Sequence, residues 1–424
     1  MIKDRTLPAV FGTRCALKPQ DQNDHRQRDE VNMLTTSGLR KIMTLLLCAS
    51  FTLLTTGCWD RIEVNDLAIV TAAGFDLTEN NQIRLSVQIF SPGNPSQSGS
   101  SMGEQQQGMP KALVESAVGK DTADAAASLQ ELLSRNLFWG HADVFIISER
   151  LARHGITEPL DYLSRHPQPR ERTNLYVSRG SPEEILQWQP DIERNSGEML
   201  REMAVIQTGL NITLLETMVS LSEEAHTALI PIVGMKKSGN KQSPALLGSA
   251  AFHGLKMKQT YSVKATRGLL WLRDEINEAT ITSRINDEGY ASINIFKSRS
   301  KITPVIHNGK WKIKLHLEAA GNLTENSTTL NAQSPEDIKK IENAFTALLQ
   351  QRIEKAVKLA KESQTDVLGF AEAFHQKYPS EWLSDKADWG ELLRDVEVEY
   401  HIKLRIRRTG LTGWADALVE EDNP

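Results

Sequence analysis

The feature that most constrains this chain is a short apolar run that ends at Gly57-Cys58, because it divides the 424 residues into a leader and a larger remainder. Arg40 and Lys41 precede the run, which covers residues 42 through 54 almost without a polar interruption. A basic flank, a short apolar segment and a small residue at the cleavage site are typical of a secretory signal. At about 1.5 Å per residue the run spans roughly 20 Å, less than the roughly 30 Å of bilayer hydrocarbon. The pattern therefore predicts a cleaved signal rather than a transmembrane helix.

The cysteine that follows Gly57 sharpens this prediction to a bacterial lipoprotein signal, in which Cys58 is lipidated on sulfur and becomes the new N-terminus. An aliphatic residue usually stands three positions before that cysteine, whereas this chain has Thr55 there and Leu54 one place earlier. A plain secretory signal, or an uncleaved anchor with an incidental cysteine, is the alternative.

Residues 1–32 do not fit this signal, because they are polar, mixed in charge and without periodicity. A start at Met33 would give a compact signal of residues 33 through 57, and we therefore expect Met33 to be the true start. A disordered leader is the alternative. In either case residues 1–57 are predicted to be leader and lipoprotein signal peptide.

Charge and cysteine usage exclude several classes of protein. Residues 1–57 carry 8 Lys and Arg against 5 Asp and Glu, so the net charge is −8 for the remainder and −5 for the whole chain. This mildly acidic balance gives no phosphate-binding footprint, so nucleic acid is not an expected partner. Cys15 and Cys48 lie in the leader, which leaves Cys58 as the single cysteine of the exported portion. We therefore expect no disulfide framework, zinc cluster or thiol nucleophile.

Strands and helices alternate over residues 58–235, which predicts a mixed α/β N-terminal domain. The apolar run Leu67–Asp76 and the alternating segment Ile83–Ile89 predict a hairpin. A stretch rich in Pro, Gly, Ser and Gln at 91–110 is expected to be an exposed flexible loop. The other predicted elements of this domain are a helix from Asp121 to about Arg135, a helix beginning at Ser181, mostly helical sequence at 190–227, and strands at Val144–Ile147, Leu175–Val177 and Ala228–Val233.

A polar, turn-rich segment at 236–244 predicts a linker to a second domain at 245–415, which is followed by a tail at 416–424. Ser334 opens the longest predicted helix, whose apolar residues recur at spacings of three and four. From Val396 to Ile406 apolar and charged residues alternate, which predicts a long strand with one wet face that closes an antiparallel sheet. The fold class is thus multi-domain: α/β, then α+β with an antiparallel sheet packed with one long helix. The other candidate strands are Leu246–Phe252, Leu269–Leu272, Ala279–Ile285, Ala291–Phe296 and Ile302–Ile306.

A search for catalytic or metal-binding residues identifies no convergent set. The chain has no Gly-x-Ser-x-Gly motif, no phosphate-binding Gly-rich loop and no His-Glu-x-x-His motif. Glu397 and Glu399 share one face of a strand with Lys403, Arg405 and Arg407, which favours a solvated charged face over a catalytic carboxylate pair. We predict no metal or cofactor, because the histidines stand singly at His141, His253, His316 and His401.

Two groups of aromatic residues are candidate contact sites. Trp59, together with Asp60, lies beside the predicted lipid and is a candidate for contact with the membrane or a partner; packing on its own domain is the alternative. Trp382 and Trp389, with Tyr378, would form either a partner-binding patch or, as is more usual for aromatics at such spacing, part of the core.

Several segments together resemble the spore germination Ger(x)C lipoproteins, the C subunits of GerA-type germinant receptors. The segment GCWDRIEVNDLAIVTAAGFD, directly after the signal, is similar to the start of that family. HADVFIISERLARHGI and the sequence up to SPEEIL resemble the rest of its N-terminal domain, whereas ATRGLLWL and FAEAFHQKYPSEWLSDKADWGELLRDVEVEYHIKLRIRRTGLTG resemble its C-terminal domain. The resemblance covers Cys58 to about Gly413. No single segment is specific to the family, but these segments in this order, after a lipoprotein signal, are.

The resemblance implies a non-catalytic, lipid-anchored subunit of a nutrient germinant receptor at the inner membrane of the spore, with its domains on the outer face. It implies a complex with two integral membrane subunits, A and B, and leaves open whether this subunit contacts the germinant. Cys58 is the only functional residue that it carries over. The competing predictions are a solute-binding lipoprotein of a membrane transporter, which needs two similar lobes, and an exported hydrolase, which needs a nucleophile and a base.

Overall fold

The computed structural model describes residues 41, 43–47, 63–91, 112–206, 209–276, 278–285 and 289–410. The chain divides into two compact units, Met1–Val64 and Asn65–Pro424. In the first unit residues 43–47 are helical and exposed. Most of the loop predicted at 91–110, and the tail predicted at 416–424, lie outside the described residues. Across the described ranges, no helix has both the length and the apolar character needed to cross a membrane.

The N-terminal sheet is mixed, with parallel strands at its centre and antiparallel pairs at both edges. In the described part of the chain its strands are β1 (Leu67–Leu77), β2 (Ile83–Ile89), β3 (Leu113–Gly119), β4 (Asn136–Phe138), β5 (Val144–Ser148), β6 (Asn174–Arg179), β7 (Thr227–Ser238), β8 (Lys241–His253) and β9 (Lys256–Ser262). Their spatial order is β3-β2-β1-β5-β6-β7-β8-β9, and β4 also pairs with β1. The pairs β1–β5, β5–β6 and β6–β7 are parallel, so each needs a long crossover connection.

Helices supply those crossovers and cover both faces of the sheet. They are α1 (Thr122–Glu131), α2 (Glu149–His154), α3 (Thr157–Arg165), α4 (Pro182–Gln187), α5 (Ser196–Val205) and α6 (Leu214–Ser222). One core cluster joins α1, α2, α3 and α6 to strand residues such as Phe75 and Phe145. A second cluster joins α4 and α5 to Ala72 and Tyr176. Burial on both faces explains why β1 and β5 are apolar almost throughout rather than alternating.

Residues 236–244, predicted to be a linker, instead form the far end of a β-hairpin. Strands β7 and β8 stay paired through Lys236–Ser243 and close at Ser238–Lys241, which leaves a two-residue turn at Gly239-Asn240. Gly239 has φ 59°, a conformation that such turns favour. The segment is polar because this end of the hairpin is exposed, not because it leaves the sheet. Strands β8 and β9 therefore continue the N-terminal sheet past the predicted boundary.

Helix α7 (Val263–Leu272) follows β9 directly and packs against α8 (Pro335–Glu362). The prediction of a strand at Leu269–Leu272 is wrong, because this apolar run is the end of α7. The four residues of this run are all buried, so the end of the helix can be apolar on every side. The Ser262 side chain caps α7 by accepting a hydrogen bond from the Ala265 N–H. Gly268 allows the close approach to α8, since a Cβ there would lie 2.3 Å from the carbonyl oxygen of Arg352.

The C-terminal sheet has the spatial order β10-β11-β12-β13 over the described residues. Its strands are β10 (Ala279–Arg284), β11 (Tyr290–His307), β12 (Lys310–Asn326) and β13 (Glu397–Arg408). The first three are antiparallel, but β13 runs parallel to β12, which corrects the predicted antiparallel closure. The physical reason is the crossover between β12 and β13, which contains α8, α9 (Phe370–Lys377), α10 (Pro379–Asp385) and α11 (Trp389–Asp395).

One hydrophobic core joins this sheet to α8 and to the last strands of the N-terminal sheet. Phe345, Leu349 and Ile353 of α8 are fully buried, as are the inward residues of β12. Leu229 of β7 and Tyr261 of β9 belong to the same cluster. The predicted fold class is confirmed: a mixed α/β domain precedes a sheet packed with one long helix. The shared core joins the two sheets without an intervening linker.

Candidate functional site

The predicted lipidation residue Cys58 and its neighbours Trp59 and Asp60 lie outside the described residues. The compact unit Asn65–Pro424 begins a few residues further on, just ahead of β1. A cavity of about 390 Å³ at this point is lined by Asn65, Asp66, Gln130, Leu133, Ser134, Arg135 and Asn136. Any attachment through Cys58 therefore connects to this end of the N-terminal sheet.

Trp382 and Trp389 lie in the core, so the alternative of a partner-binding patch is wrong. Trp382 is 1% exposed and Trp389 is 7% exposed. Their ring centroids are 5.0 Å apart with an angle of 67° between the rings, and Trp389 also lies 5.8 Å from Phe374 and 5.9 Å from Trp311. Tyr378 packs against the same cluster. Edge-to-face rings at these distances are a stabilising core arrangement.

Asp366 is a buried carboxyl group that accepts four hydrogen bonds. Its Oδ1 accepts from the backbone N–H groups of Leu368 at 3.1 Å and Phe370 at 3.3 Å. Its Oδ2 accepts from the N–H of Ala371 at 2.6 Å and from the indole Nε1 of Trp389 at 3.1 Å. Burial raises the pKa of Asp366, while the four donors act in the opposite direction. The carboxyl group therefore caps the start of α9 and ties it to the tryptophan cluster.

Two polar contacts connect the Asp366 region to the N-terminal sheet. The Thr227 hydroxyl donates to the backbone carbonyl of Asp366 at 2.8 Å. Just before β7, Glu224 accepts from the Trp382 indole at 2.9 Å and lies 3.5 Å from both Lys386 and His375. The hydrogen bond from Trp382 is the main reason that the pKa of Glu224 is lowered. Glu224 is thus a carboxylate of one domain held by three side chains of the other.

A cavity of about 540 Å³ opens beside this junction. Its lining includes His226, His253, Lys258 and Trp389. Burial lowers the pKa of His253, with smaller contributions from Lys258 and His226. Within the described lining no imidazole is hydrogen-bonded to a hydroxyl or a carboxylate; the Nδ1 of His226 instead contacts a backbone carbonyl at 3.1 Å. The cavity is therefore a candidate binding cavity without a paired nucleophile and base.

A second cavity of about 640 Å³ lies between α6 and the segment that follows α7. Leu215 and Val219 of α6 line it and are 44% and 50% exposed. Its polar lining is mainly acidic and includes Glu216, Glu223 and Glu278. This groove combines apolar and negatively charged surface, as a docking site for a basic segment would.

The histidines are less scattered than the sequence suggests, because strand pairing brings two of them together. His316 of β12 lies opposite His401 of β13, and their rings stack with centroids 4.6 Å apart. His401 also contacts Glu399 at 2.7 Å, which lowers the pKa of that carboxyl group. Over the described ranges, no group of three or more His, Cys, Asp or Glu residues is arranged to hold a metal ion.

The charged face predicted around Glu397 and Glu399 is confirmed, but its ion pairs cross between strands. Lys312 of β12 lies 3.3 Å from Glu399 and 3.9 Å from Glu397. Lys403 and Arg405, which were predicted to share this face, lie further along β13. Glu397 and Glu399 therefore form ion pairs near the start of β13, and within the ranges that the structure describes neither forms one with the cations near its end.

Sequence reasoning missed Asp366 and Glu224, which join the two domains. For Asp366 a signal existed, because Thr365-Asp366 stands just before Gly369 and the apolar start of α9, a pattern typical of a helix start. For Glu224 no local signal exists, because Trp382 lies 158 positions away in the sequence.

Comparison with known proteins assigns the chain to a family. The family model described as spore germination protein N-terminal domain matches residues 60–235. The model described as spore germination B3/GerAC-like, C-terminal, matches residues 247–410. These two matches cover well over half of the chain. It therefore belongs to the Ger(x)C family of spore germination proteins, which confirms the resemblance found in the sequence.

Individual relatives are similar over nearly their whole length. Putative spore germination protein YfkR of Bacillus subtilis (strain 168) is 28% identical over 84% of this chain and 93% of its own. Spore germination protein KC of the same organism is 26% identical over 88% of this chain and 97% of its own. The crystal structure of the GerBC protein matches with a TM-score of 0.54 at 19% identity, covering 79% of this chain and 96% of that chain. At that identity the match shows a shared fold.

Proposed function

We propose that this chain is the lipid-anchored, non-catalytic subunit of a nutrient germinant receptor that triggers bacterial spore germination, in complex with two integral membrane subunits, A and B. The observation that carries the proposal is the ordered match of both family domains, which begins at residue 60, two residues after Cys58. The apolar run at 42–54 stands just ahead of that point. The names of the relatives, spore germination proteins KC and B3 among them, support the same role.

Acylation of Cys58 would hold the protein at the membrane. Each buried methylene contributes about 0.8 kcal/mol, so two acyl chains such as palmitate anchor a domain stably where one would be marginal. Leu67 begins β1 nine residues after Cys58, so at about 3.3–3.6 Å per residue the connection reaches at most about 30 Å. Tethering raises the local concentration of the domains near their membrane partners, so modest interfaces suffice for assembly.

The test compares the wild-type chain with Cys58→Ser in a spore-forming host, by intact mass, membrane fractionation and co-purification with the A and B subunits. Cys48→Ser is the matched control, because it removes the other cysteine close to the cleavage site. We expect acyl mass and membrane sedimentation for the wild type and for Cys48→Ser. We expect Cys58→Ser to be soluble or to retain its leader.

Two outcomes would reject different parts of the proposal. A wild-type chain that is unlipidated and keeps residues before Cys58 removes the anchor. Spores that lack this chain but germinate normally on every nutrient remove the receptor role. The rival of a solute-binding lipoprotein is not favoured, because its two lobes should be alike, whereas the two sheets here differ in size and topology.

A further inference from the structure

The outward face of the C-terminal sheet carries a group of cations that we call the basic patch. Arg299 of β11 lies opposite Glu318 of β12, which in turn lies opposite Lys403 of β13, so three adjacent strands contribute to one surface. All the side chains of the patch are exposed. The basic patch consists of Lys297, Arg299, Lys301, Lys403, Arg405 and Arg407.

The cations of the basic patch outnumber the carboxylates around them. At the other end of the same face, Lys312 pairs with Glu397 and Glu399. Among the described residues, the cations of the basic patch form no such ion pair or side-chain hydrogen bond. The lining of the cavity of about 400 Å³ at the patch includes one described carboxylate, that of Glu318. Because the whole chain has a net charge of −5, the patch is a local reversal of sign.

Protection of sheet edges accounts for cations at these positions, but not for the exposed aromatic ring beside them. Lysine and arginine on an edge strand prevent pairing with other chains, and β13 is an edge strand. Strand β11 pairs with β10 only through Tyr290–Ile295, so Lys297, Arg299 and Lys301 also lie on a segment that β10 does not cover. Beside them, Phe296 lies at a β-bulge and is 48% exposed. An exposed aromatic ring next to long cationic side chains is the combination found at membrane–water interfaces.

We propose that the basic patch binds the headgroups of anionic phospholipids, so that the C-terminal sheet lies against the bilayer. The inference rests on the proposed membrane location and adds an orientation to it. The cations of the patch, carried by β11 and β13 on an exposed face of the sheet, match an array of phosphates. The exposed ring of Phe296 beside these cations favours a membrane surface over an acidic peptide. Each cation near an anionic surface adds severalfold to the affinity, so the set acts together.

The test uses the chain from residue 59 onward, which contains the compact unit Asn65–Pro424 and lacks the anchoring cysteine. Binding is measured by co-sedimentation with phosphatidylcholine vesicles that contain or lack phosphatidylglycerol. The patch variant combines Arg299→Glu, Lys403→Glu and Arg405→Glu. The control variant makes the same change of charge on other exposed surface, through Lys236→Glu, Lys237→Glu and Lys264→Glu.

We expect the wild-type chain to bind only vesicles with phosphatidylglycerol, and to bind them less tightly as salt is added. The patch variant should bind about a hundredfold more weakly or worse, and the control variant should stay within about threefold of the wild type. Because Cys58 is absent from this experiment, failure here leaves the anchor proposal standing, and failure of acylation leaves this result unchanged.

Four outcomes overturn the proposal. They are no sedimentation of the wild-type chain, binding that ignores phosphatidylglycerol, and equal losses in the patch and control variants. The fourth is binding that appears only after Asp416, Glu420, Glu421 and Asp422 are changed to their amides, since the patch would then serve the chain's own acidic terminus.

Discussion

Replacing Asp366 with alanine removes one carboxylate that serves four donors at once. Two of these donors, the N–H groups of Phe370 and Ala371, belong to the first turn of α9, where N–H groups have no partner within the helix. A third is the indole of Trp389, which is buried in the aromatic cluster. The substitution therefore leaves several donors without an acceptor in a place from which water is largely excluded.

The expected cost follows from these contacts. Each buried donor left unsatisfied costs about 1–3 kcal/mol, and water entering the vacated space would satisfy part of the set. We therefore expect Asp366→Ala to lower the free energy of unfolding by about 3–5 kcal/mol, a large share of a typical stability of about 5–15 kcal/mol. Asp366→Asn keeps one acceptor oxygen but turns an amide NH₂ toward two donors, so we expect a loss of about 2–3 kcal/mol.

The measurement is urea unfolding of the chain from residue 59 onward, followed by tryptophan fluorescence, because Trp389 reports directly on this site. The matched control is Asp388→Ala, an exposed carboxyl group that lines the same cavity. Its removal should change stability by no more than about 0.5 kcal/mol. If Asp366→Ala and Asp388→Ala unfold at the same urea concentration, the reasoning about the buried cap is refuted.

Two further predictions concern helix packing and the junction between the domains. Gly268→Ala places a methyl group against the backbone of α8 and should lower the free energy of unfolding, measured by thermal unfolding, by about 1–3 kcal/mol. The control Gly390→Ala should be nearly neutral, because a Cβ there lies 3.4 Å from its nearest neighbour. Equal costs for the two substitutions would contradict the packing argument. The pKa of Glu224 is lowered from about 4.5 by the Trp382 indole, so its contribution to stability is present above that pH and is lost as the pH falls through the lowered value. Glu224→Gln should therefore flatten the dependence of the urea midpoint on acid pH. Glu223→Gln, at an exposed position, should leave that dependence unchanged. If the urea midpoint of Glu224→Gln depends on pH as that of the wild type does, the stabilising role of the Glu224–Trp382 hydrogen bond is refuted.

The elements that the sequence predicts best are helices and strands whose buried residues recur at the helical or strand period. The apolar stripe of α8, with Ile341, Phe345 and Ile353, faces the sheet as expected, and the helix begins at Ser334 as predicted. Alternation also identifies β13, but it cannot give its direction, because side chains alternate in the same way in parallel and antiparallel strands. The run Leu269–Leu272 was assigned wrongly for a related reason: a short apolar segment has no period from which to choose.

The candidate sites depend on contacts that are distant in sequence, so only general chemistry could be predicted for them. A strand with one charged face was expected around Glu399, whereas its pairing with Lys312 depends on the register of β12 and β13. The basic patch cannot be predicted from any single segment of the sequence, because Lys297 and Arg405 are more than a hundred residues apart and come together only across β12. The sequence identifies Trp382 of α10 and Trp389 of α11 as candidates for either a core or a binding patch, and only their burial in the folded chain shows that they belong to the core.

The position of β1 bears on how the protein would respond to mechanical load. β1 is the first strand after the proposed anchor, and it is hydrogen-bonded to β2 on one side and to β4 and β5 on the other. A pull directed along β1 would load the hydrogen bonds on both sides of this strand. Forced unfolding is governed by the rate of their rupture rather than by equilibrium stability. Under the proposed tether, such a load would be resisted by the strands on both sides of β1 rather than by a single edge pair.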